Sequence, residues 1–272
     1  MSLRTRLLAT GALAMLLLIA HAPPAAAKIV KTRRAMQVRP GIGFTLGSGL
    51  EFQSDTDSRE YGFPFLFEWT LSPALEFVVE PGFITIHGSD GSSIQGWDDT
   101  ESSLRWELVR ERRTRPAISV QGGVLWPTSR HRAIAEGVTS TSLGLLVTKD
   151  IIRGEFSFNV IGTRVGLPAT GRVLDTAQLS AAVEWHLTPD LDLAGELLTT
   201  RGFGRLRGHS GPTAPGGGGL NVAGAGSGST EGTLGLAHYF SKRLKFEEGL
   251  VVQTDGTWQV VAAWEWDFGE GR

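Results

Sequence analysis

The sequence predicts an all-β fold, a transmembrane antiparallel β-barrel of about twelve strands, with ten to fourteen as the bounds. Two observations predict it: apolar and polar residues alternate along most of the chain, and short and long polar connections alternate between those segments. Successive side chains of a strand point to opposite faces, so each segment has one apolar and one polar face. The sequence offers no helices to cover the apolar faces, and lipid is the environment that fits them.

The last segment shows the pattern most clearly. Residues 258–268 read Trp-Gln-Val-Val-Ala-Ala-Trp-Glu-Trp-Asp-Phe. We expect Trp258, Trp264, Trp266 and Phe268 to face the membrane. Their polar neighbours Glu265 and Asp267 then face the lumen.

Eleven earlier segments share this alternation. They begin with 38–52, 61–71 and 75–83 and continue near 104–109, 117–126, 143–147, 152–160, 178–187, 191–197, 234–240 and 244–252. Proline cannot donate a hydrogen bond to a sheet, so Pro64 and Pro81 predict bulges or weak pairing within their strands.

The connections indicate how the barrel is oriented. Short turns fall near 72–74, 111–115, 148–151, 188–190 and 241–243. Longer connections fall at 53–59, 87–100, 127–137, 163–175 and 200–230, and a tight one at 253–256. Short periplasmic turns and long external loops are typical of outer-membrane barrels, so both termini are predicted to be periplasmic.

The ends of the chain divide it into four parts. Residues 1–27 have the basic start, apolar middle and Ala25-Ala26-Ala27 end of a cleaved signal peptide. We expect 28–36 to be a periplasmic N-terminal extension, 37–268 the barrel and 269–272 a C-terminal tail. Together with the predicted barrel, such export leads us to expect the outer membrane of a Gram-negative bacterium as the location.

Composition excludes several functions. The chain has no cysteine and a formal net charge of −2. Disulfide and thiolate chemistry are therefore excluded, and a nucleic-acid partner, which requires a basic surface, is not expected. The sequence leaves the oligomeric state undetermined.

The candidate functional residues are the charged groups of the polar faces. The alternation predicts that the following residues line a pore: Glu51, Glu68, Glu76, Glu80, Arg105, Glu107, Arg153, Glu155, Glu184, His186, Asp192, Glu196, Glu265 and Asp267. Glu60, Arg39, Arg115 and Lys245 belong to the same faces. An excess of carboxylates favours passage of cations. The alternative is that these charges pair across neighbouring strands and fill a closed barrel.

Other chemistries have weaker signals. His186 beside Glu184 and Asp192 suggests acid–base work, but no Ser–His motif accompanies it, so no enzyme activity is expected. Ser89, Asp90, Asp98, Asp99 and Glu101 could hold calcium, although their spacing matches no calcium loop. We predict no cofactor and no metal.

The 201–230 connection has two parts. Arg201, Arg205, Arg207 and His209 could contact lipopolysaccharide phosphates, and the glycine-rich run after Pro215 predicts a flexible external loop. Such a loop could also fold inward as a constriction.

The whole predicted barrel resembles bacterial outer-membrane β-barrel proteins, which end on an aromatic strand such as Trp264-Glu265-Trp266-Asp267-Phe268. That resemblance implies partners: outer-membrane lipid, lipopolysaccharide and the barrel-assembly machinery. Hairpins such as Trp69–Leu75 and Trp185–Leu191 resemble the transporter-like barrels of phenol meta-cleavage pathways. This second resemblance implies passage of small solutes, often hydrophobic ones.

Overall fold

A computed structural model describes residues 43–54, 58–131, 134–135, 137–167, 172–203 and 228–268. The predicted signal peptide, N-terminal extension and C-terminal tail lie outside these residues, as does most of the glycine-rich connection. Within the described ranges, no helix is long and apolar enough to cross a membrane.

The described chain is built from antiparallel strands. In chain order they are β1 Gly43–Ser54, β2 Ser58–Ser72, β3 Leu75–Glu80, β4 Gly82–Gly88, β5 Ser93–Trp97, β6 Thr100–Val109, β7 Ala117–Trp126, β8 Ser140–Ile151, β9 Gly154–Leu167, β10 Arg172–Thr188, β11 Leu191–Phe203, β12 Gly228–Tyr239, β13 Leu244–Gln253 and β14 Trp258–Asp267.

These strands occupy twelve positions in a closed wall. β3 and β4 both pair with β2 in one continuous register, so together they form one wall strand. β5 and β6 continue each other in the same way along β4 and β3. β1 pairs with both β14 and β2, which closes the barrel. The predicted all-β barrel of twelve strands is confirmed.

The two strand prolines interrupt the wall, as predicted. Pro81 separates β3 from β4, and Phe65 N–H donates to its carbonyl oxygen at 2.8 Å. β1 and β2 pair at both ends but not between residues 45–50 and 63–68, the stretch that contains Pro64. Pro64 contributes to this gap, because a proline in the middle of a strand has no N–H to offer its neighbour.

Several strands run further than the alternation predicted. The predicted 87–100 connection is wrong, because β4 continues to Gly88 and Ser93–Trp97 forms β5. β5 pairs with β4 alone, whereas β6 pairs with β7 from Thr100 onward. β4 and β5 therefore form a hairpin that projects beyond the end of β7. Glycine and serine at 91–93 hid this strand, since they are common in turns.

Both described ends lie at one end of the barrel. Phe268 N–H donates to Phe44 O at 2.8 Å, and Thr45 pairs with Asp267. The short turns between β2 and β3, β8 and β9, β10 and β11, and β12 and β13 lie at this same end, called here the short-turn end. The opposite end carries the two longest connections, between β7 and β8 and between β11 and β12.

The two faces of the wall differ in chemistry. The outer face exposes large apolar side chains, among them Trp106 at 55%, Leu234 at 62% and Leu143 at 70%. The inner face holds buried polar ones such as Ser119, Asn159 and Asp192. A soluble protein has the opposite distribution, so these faces fit a barrel surrounded by lipid.

Candidate functional site

The candidate site is the inner face of the barrel, where the strand period places the predicted charged residues. Thirteen of the fourteen predicted pore-lining residues lie at inward-facing strand positions, as the register shows: Glu51, Glu68, Glu76, Glu80, Arg105, Glu107, Glu155, Glu184, His186, Asp192, Glu196, Glu265 and Asp267.

The prediction that Arg153 lines the pore is wrong. β8 runs on to Ile151, so Arg153 lies in the two-residue turn before β9 and is exposed. Its carbonyl oxygen accepts a hydrogen bond from His186 N–H at 2.7 Å. Arg115, which was predicted to lie on the same faces, is also in a turn. There its backbone pairs with that of Arg112 in an isolated antiparallel β-bridge. Arg39 lies outside the described residues.

One charge network crosses five strands near the short-turn end. Lys245 of β13 places Nζ 2.6 Å from Glu247 and 3.1 Å from Glu265 of β14. Asp192 of β11 accepts hydrogen bonds from Tyr239 Oη at 3.0 Å and lies 2.7 Å from His186 Nδ1. Register links the two halves, because Tyr239 is directly opposite Lys245. We call these six residues the short-turn network.

A second ion pair lies in the wall formed by β3 and β6. Arg105 Nη1 donates to Glu76 Oε1 at 2.7 Å, and both side chains are about a tenth exposed or less. The pair joins directly opposed residues of the two strands. Buried charges are costly unless they are paired, so this contact is needed for Arg105 to sit in the wall at all.

Carboxylates exceed cations on the inner face. Among strand residues whose side chains the structure describes, the inward cationic ones are Arg105 and Lys245, with His186 at the short-turn end. Inward carboxylates include Glu231 and Glu247, which the sequence prediction missed. Glu247 was obscured by its neighbour Glu248, because two adjacent acids do not show which one faces inward. The part of the inner wall that the structure describes therefore carries more acidic than basic side chains.

Most of the inward carboxylates are buried. Asp192 is 2% exposed, and Glu76, Glu107, Glu155, Glu184, Glu196, Glu231 and Glu247 are also buried. Side chains can largely fill the interior of a small barrel, and the burial of these carboxylates agrees with such packing.

The residues predicted as a possible calcium site do not come together in the structure. Asp90 lies in the tip of the β4–β5 hairpin, whereas Asp98 and Asp99 follow its other end. No group of three or more potential metal ligands forms within the part of the chain that the structure covers. Arg201 faces outward near the end of β11, and Arg205, Arg207 and His209 lie outside the described residues.

The aromatic residues of the last strand lie on the outer face. Trp258, Trp266 and Phe268 are exposed there. Trp264 packs on Phe246 with ring centroids 4.4 Å apart, and Trp266 stacks on Phe268 at 5.5 Å. These contacts extend the apolar outer surface around the seam where β14 meets β1.

Solved structures share this architecture. The crystal structure of an outer membrane channel from Pseudomonas putida F1 matches with a TM-score of 0.65 at 10% identity, covering 88% of this chain and 100% of that one. The NanC porin matches with a TM-score of 0.53 at 8% identity, covering 81% and 98%. The KdgM porin in complex with disordered oligogalacturonate gives 0.53 at 8% identity, covering 82% and 98%. At such low sequence identities, these matches show that the fold is shared and no more than that.

No protein-family model matches the sequence, and no curated protein matches it.

Proposed function

We propose that this chain is an outer-membrane channel for the passive passage of small solutes, with a preference for cations. The acidic inner face of a closed barrel carries the proposal. Among the inward side chains that the structure describes, carboxylates outnumber the cations Arg105 and Lys245, which themselves lie against Glu76, Glu247 and Glu265. The shared fold of solved outer-membrane channels supports the same function.

The mechanism is diffusion past fixed charges. A cation entering the lumen exchanges part of its hydration shell for carboxylate oxygens, and an anion meets a repulsive potential. Low-dielectric barrel walls strengthen both effects relative to water. Arg105 and Lys245 each hold neighbouring carboxylates in place, so they limit how tightly a passing cation is bound.

The lengths of the connections support one orientation of the barrel. We place the short-turn end, with the described chain ends, in the periplasm, and the longer connections outside the cell. Cleavage after a signal peptide at residues 1–27 and export to the outer membrane of a Gram-negative bacterium are parts of this proposal. Its partners would be membrane lipid, lipopolysaccharide and the assembly machinery that reads Trp264, Trp266 and Phe268.

A closed structural or surface-interaction barrel is the competing function. The burial of the inward charges and the contacts of Lys245 favour it, because paired side chains can fill a narrow lumen. Small hydrophobic compounds are a second solute class, which rests on the resemblance to meta-cleavage barrels. They would pass by way of apolar rather than acidic surfaces.

The test is conductance of the refolded protein in planar bilayers under a salt gradient. We expect discrete steps whose reversal potential lies on the cation side. Glu196→Gln, which removes an inward charge, should shift this potential toward zero. Asp175→Asn removes an exposed charge from the outer face and should leave it unchanged. A folded barrel without any conductance would overturn the channel function in favour of the closed barrel.

A further inference from the structure

The connection between β7 and β8 folds back over the inner face of the projecting hairpin. Of residues 127–139, the described ones are 127–131, 134–135 and 137–139. Ile134 and Ala135 form a buried cluster with Ile84 of β4. Ile84 of β4 is paired with Gly62 of β2, and Val78 of β3 is paired with the inward Glu68 of the same strand. Because both pairs belong to one continuous register and Gly62 and Glu68 are an even number of residues apart, Ile84 also faces the lumen side of the wall.

The rest of this contact surface is also apolar. Ile86 of β4 and Ile94 of β5 are directly paired and pack against the same cluster. Gly96 is paired with Ile84, and the connection approaches its backbone closely. A Cβ atom there would lie 3.1 Å from both Ile134 Cδ1 and His131 Cδ2. A small residue at 96 therefore leaves the space that the connection occupies.

Polar contacts secure the connection at the base of the hairpin. Asp99 is 8% exposed, and its Oδ1 accepts a hydrogen bond from Ser129 N–H at 3.0 Å. The backbone N–H of Gly137 also bonds this carboxylate, so one side chain holds both ends of the connection. Thr128 Oγ1 adds a bond to Asp98 O at 2.9 Å.

We propose that the described residues of the β7–β8 connection, 127–131, 134–135 and 137–139, are the size-restricting element of the channel, and that Asp99 positions them at the barrel end opposite the short turns. This inference rests on the proposed channel function. It adds the place in the barrel at which solutes are selected by size. A connection that lies on the lumen side of the wall takes up cross-section that a solute would use. Its apolar cluster and its carboxylate clamp hold it there in water, where an isolated loop would not stay folded.

The experiment combines a structural readout with conductance. The protein has no cysteine, so Ala135→Cys gives a single thiol in the buried cluster, and its reaction rate with a maleimide reports docking. Asp99→Ala removes the clamp, and Gly96→Leu fills the space under Ile134. Gly122→Leu is the matched control, because a Cβ atom at outward-facing Gly122 meets nothing within 4 Å.

We expect thiol labelling to be roughly tenfold faster in Asp99→Ala, as loss of hydrogen bonds to a charged group implies. Larger conductance steps and passage of larger cations should accompany it, and Gly96→Leu should act in the same direction. Gly122→Leu should match the parent in both measurements.

Two outcomes would overturn it, and they differ. If the parent conducts and the connection is released without any change in step size or size limit, the restriction is wrong and the channel function stands. If the parent and every released variant are silent, the channel function fails, and the restriction fails with it. Slow labelling in both Asp99→Ala and Gly96→Leu would show that Asp99 does not position the connection.

Discussion

Glu247 and Glu248 are consecutive residues of β13 that face opposite sides of the barrel wall. Glu247 Oε1 lies 2.6 Å from the inward Lys245 Nζ, whereas Glu248 Oε1 lies 3.6 Å from His238 Nε2 on the outer face. One peptide unit therefore separates a lumen charge from a surface charge. This adjacency provides matched variants of identical chemistry.

Glu247→Gln should reduce the cation preference of the conductance, since it removes a lumen charge and leaves Lys245 with Glu265 as its nearest partner. Glu248→Gln should leave ion selectivity unchanged, because that carboxylate is on the other side of the wall. Reversal potentials under a salt gradient measure both. Equal shifts in the two variants would contradict the assigned faces.

Arg105→Met should destabilise the barrel by about 3–5 kcal/mol, because Glu76 then remains buried without its cation. Adding Glu76→Gln should recover most of that loss, since an uncharged side chain is cheaper to bury. Urea unfolding in lipid vesicles gives the comparison. The control is Arg164→Gln, whose partner Asp175 is on the exposed outer face at 2.9 Å; we expect no measurable effect there.

Leu234→Arg should cost about 2–4 kcal/mol of stability in a bilayer, the value for a cation near the middle of a lipid-facing barrel surface. Ile152→Arg, in the fully exposed turn between β8 and β9, should cost nothing measurable. Refolding yield and urea midpoints in vesicles test this. If both variants are neutral, the outer face does not contact lipid.

Asp98 makes stability depend on pH. It lies between β5 and β6, outside the strands, where burial raises its pKa from 3.8 to about 6, and the charges of Asp99 and Glu51 act in the same direction. A raised folded-state pKa means that the contribution to stability is present at low pH and is lost as the pH rises through about 6.

Asp98→Asn should therefore stabilise the protein more at pH 7.5 than at pH 5, since the amide never charges. Unfolding midpoints of parent and variant at the two pH values measure the difference. Asp255→Asn, in an exposed turn, is the control, and its effect on the unfolding midpoint should be the same at both pH values. A stabilisation of Asp98→Asn that is the same at both pH values would exclude the buried carboxylate as its cause.

The sequence by itself determined the side of the wall on which most residues lie. Alternation is a property of the extended backbone, so Glu184 and Glu196 could be placed inward, and Trp258 and Trp266 outward, without knowledge of any partner. The number of wall strands followed from counting such segments. Prediction failed where the alternation was weak, as in Ser93–Trp97, and where a boundary shifted by a few residues, as at Arg153.

Only the tertiary structure decided which inward groups meet. Lys245 pairs with Glu265, and Arg105 with Glu76, because barrel closure and register place those strands side by side. Docking of Ile134 on Ile84 and the clamp from Asp99 join segments about 30 to 50 residues apart in the chain. Such contacts depend on how the whole wall closes, and no local pattern in the sequence encodes that closure.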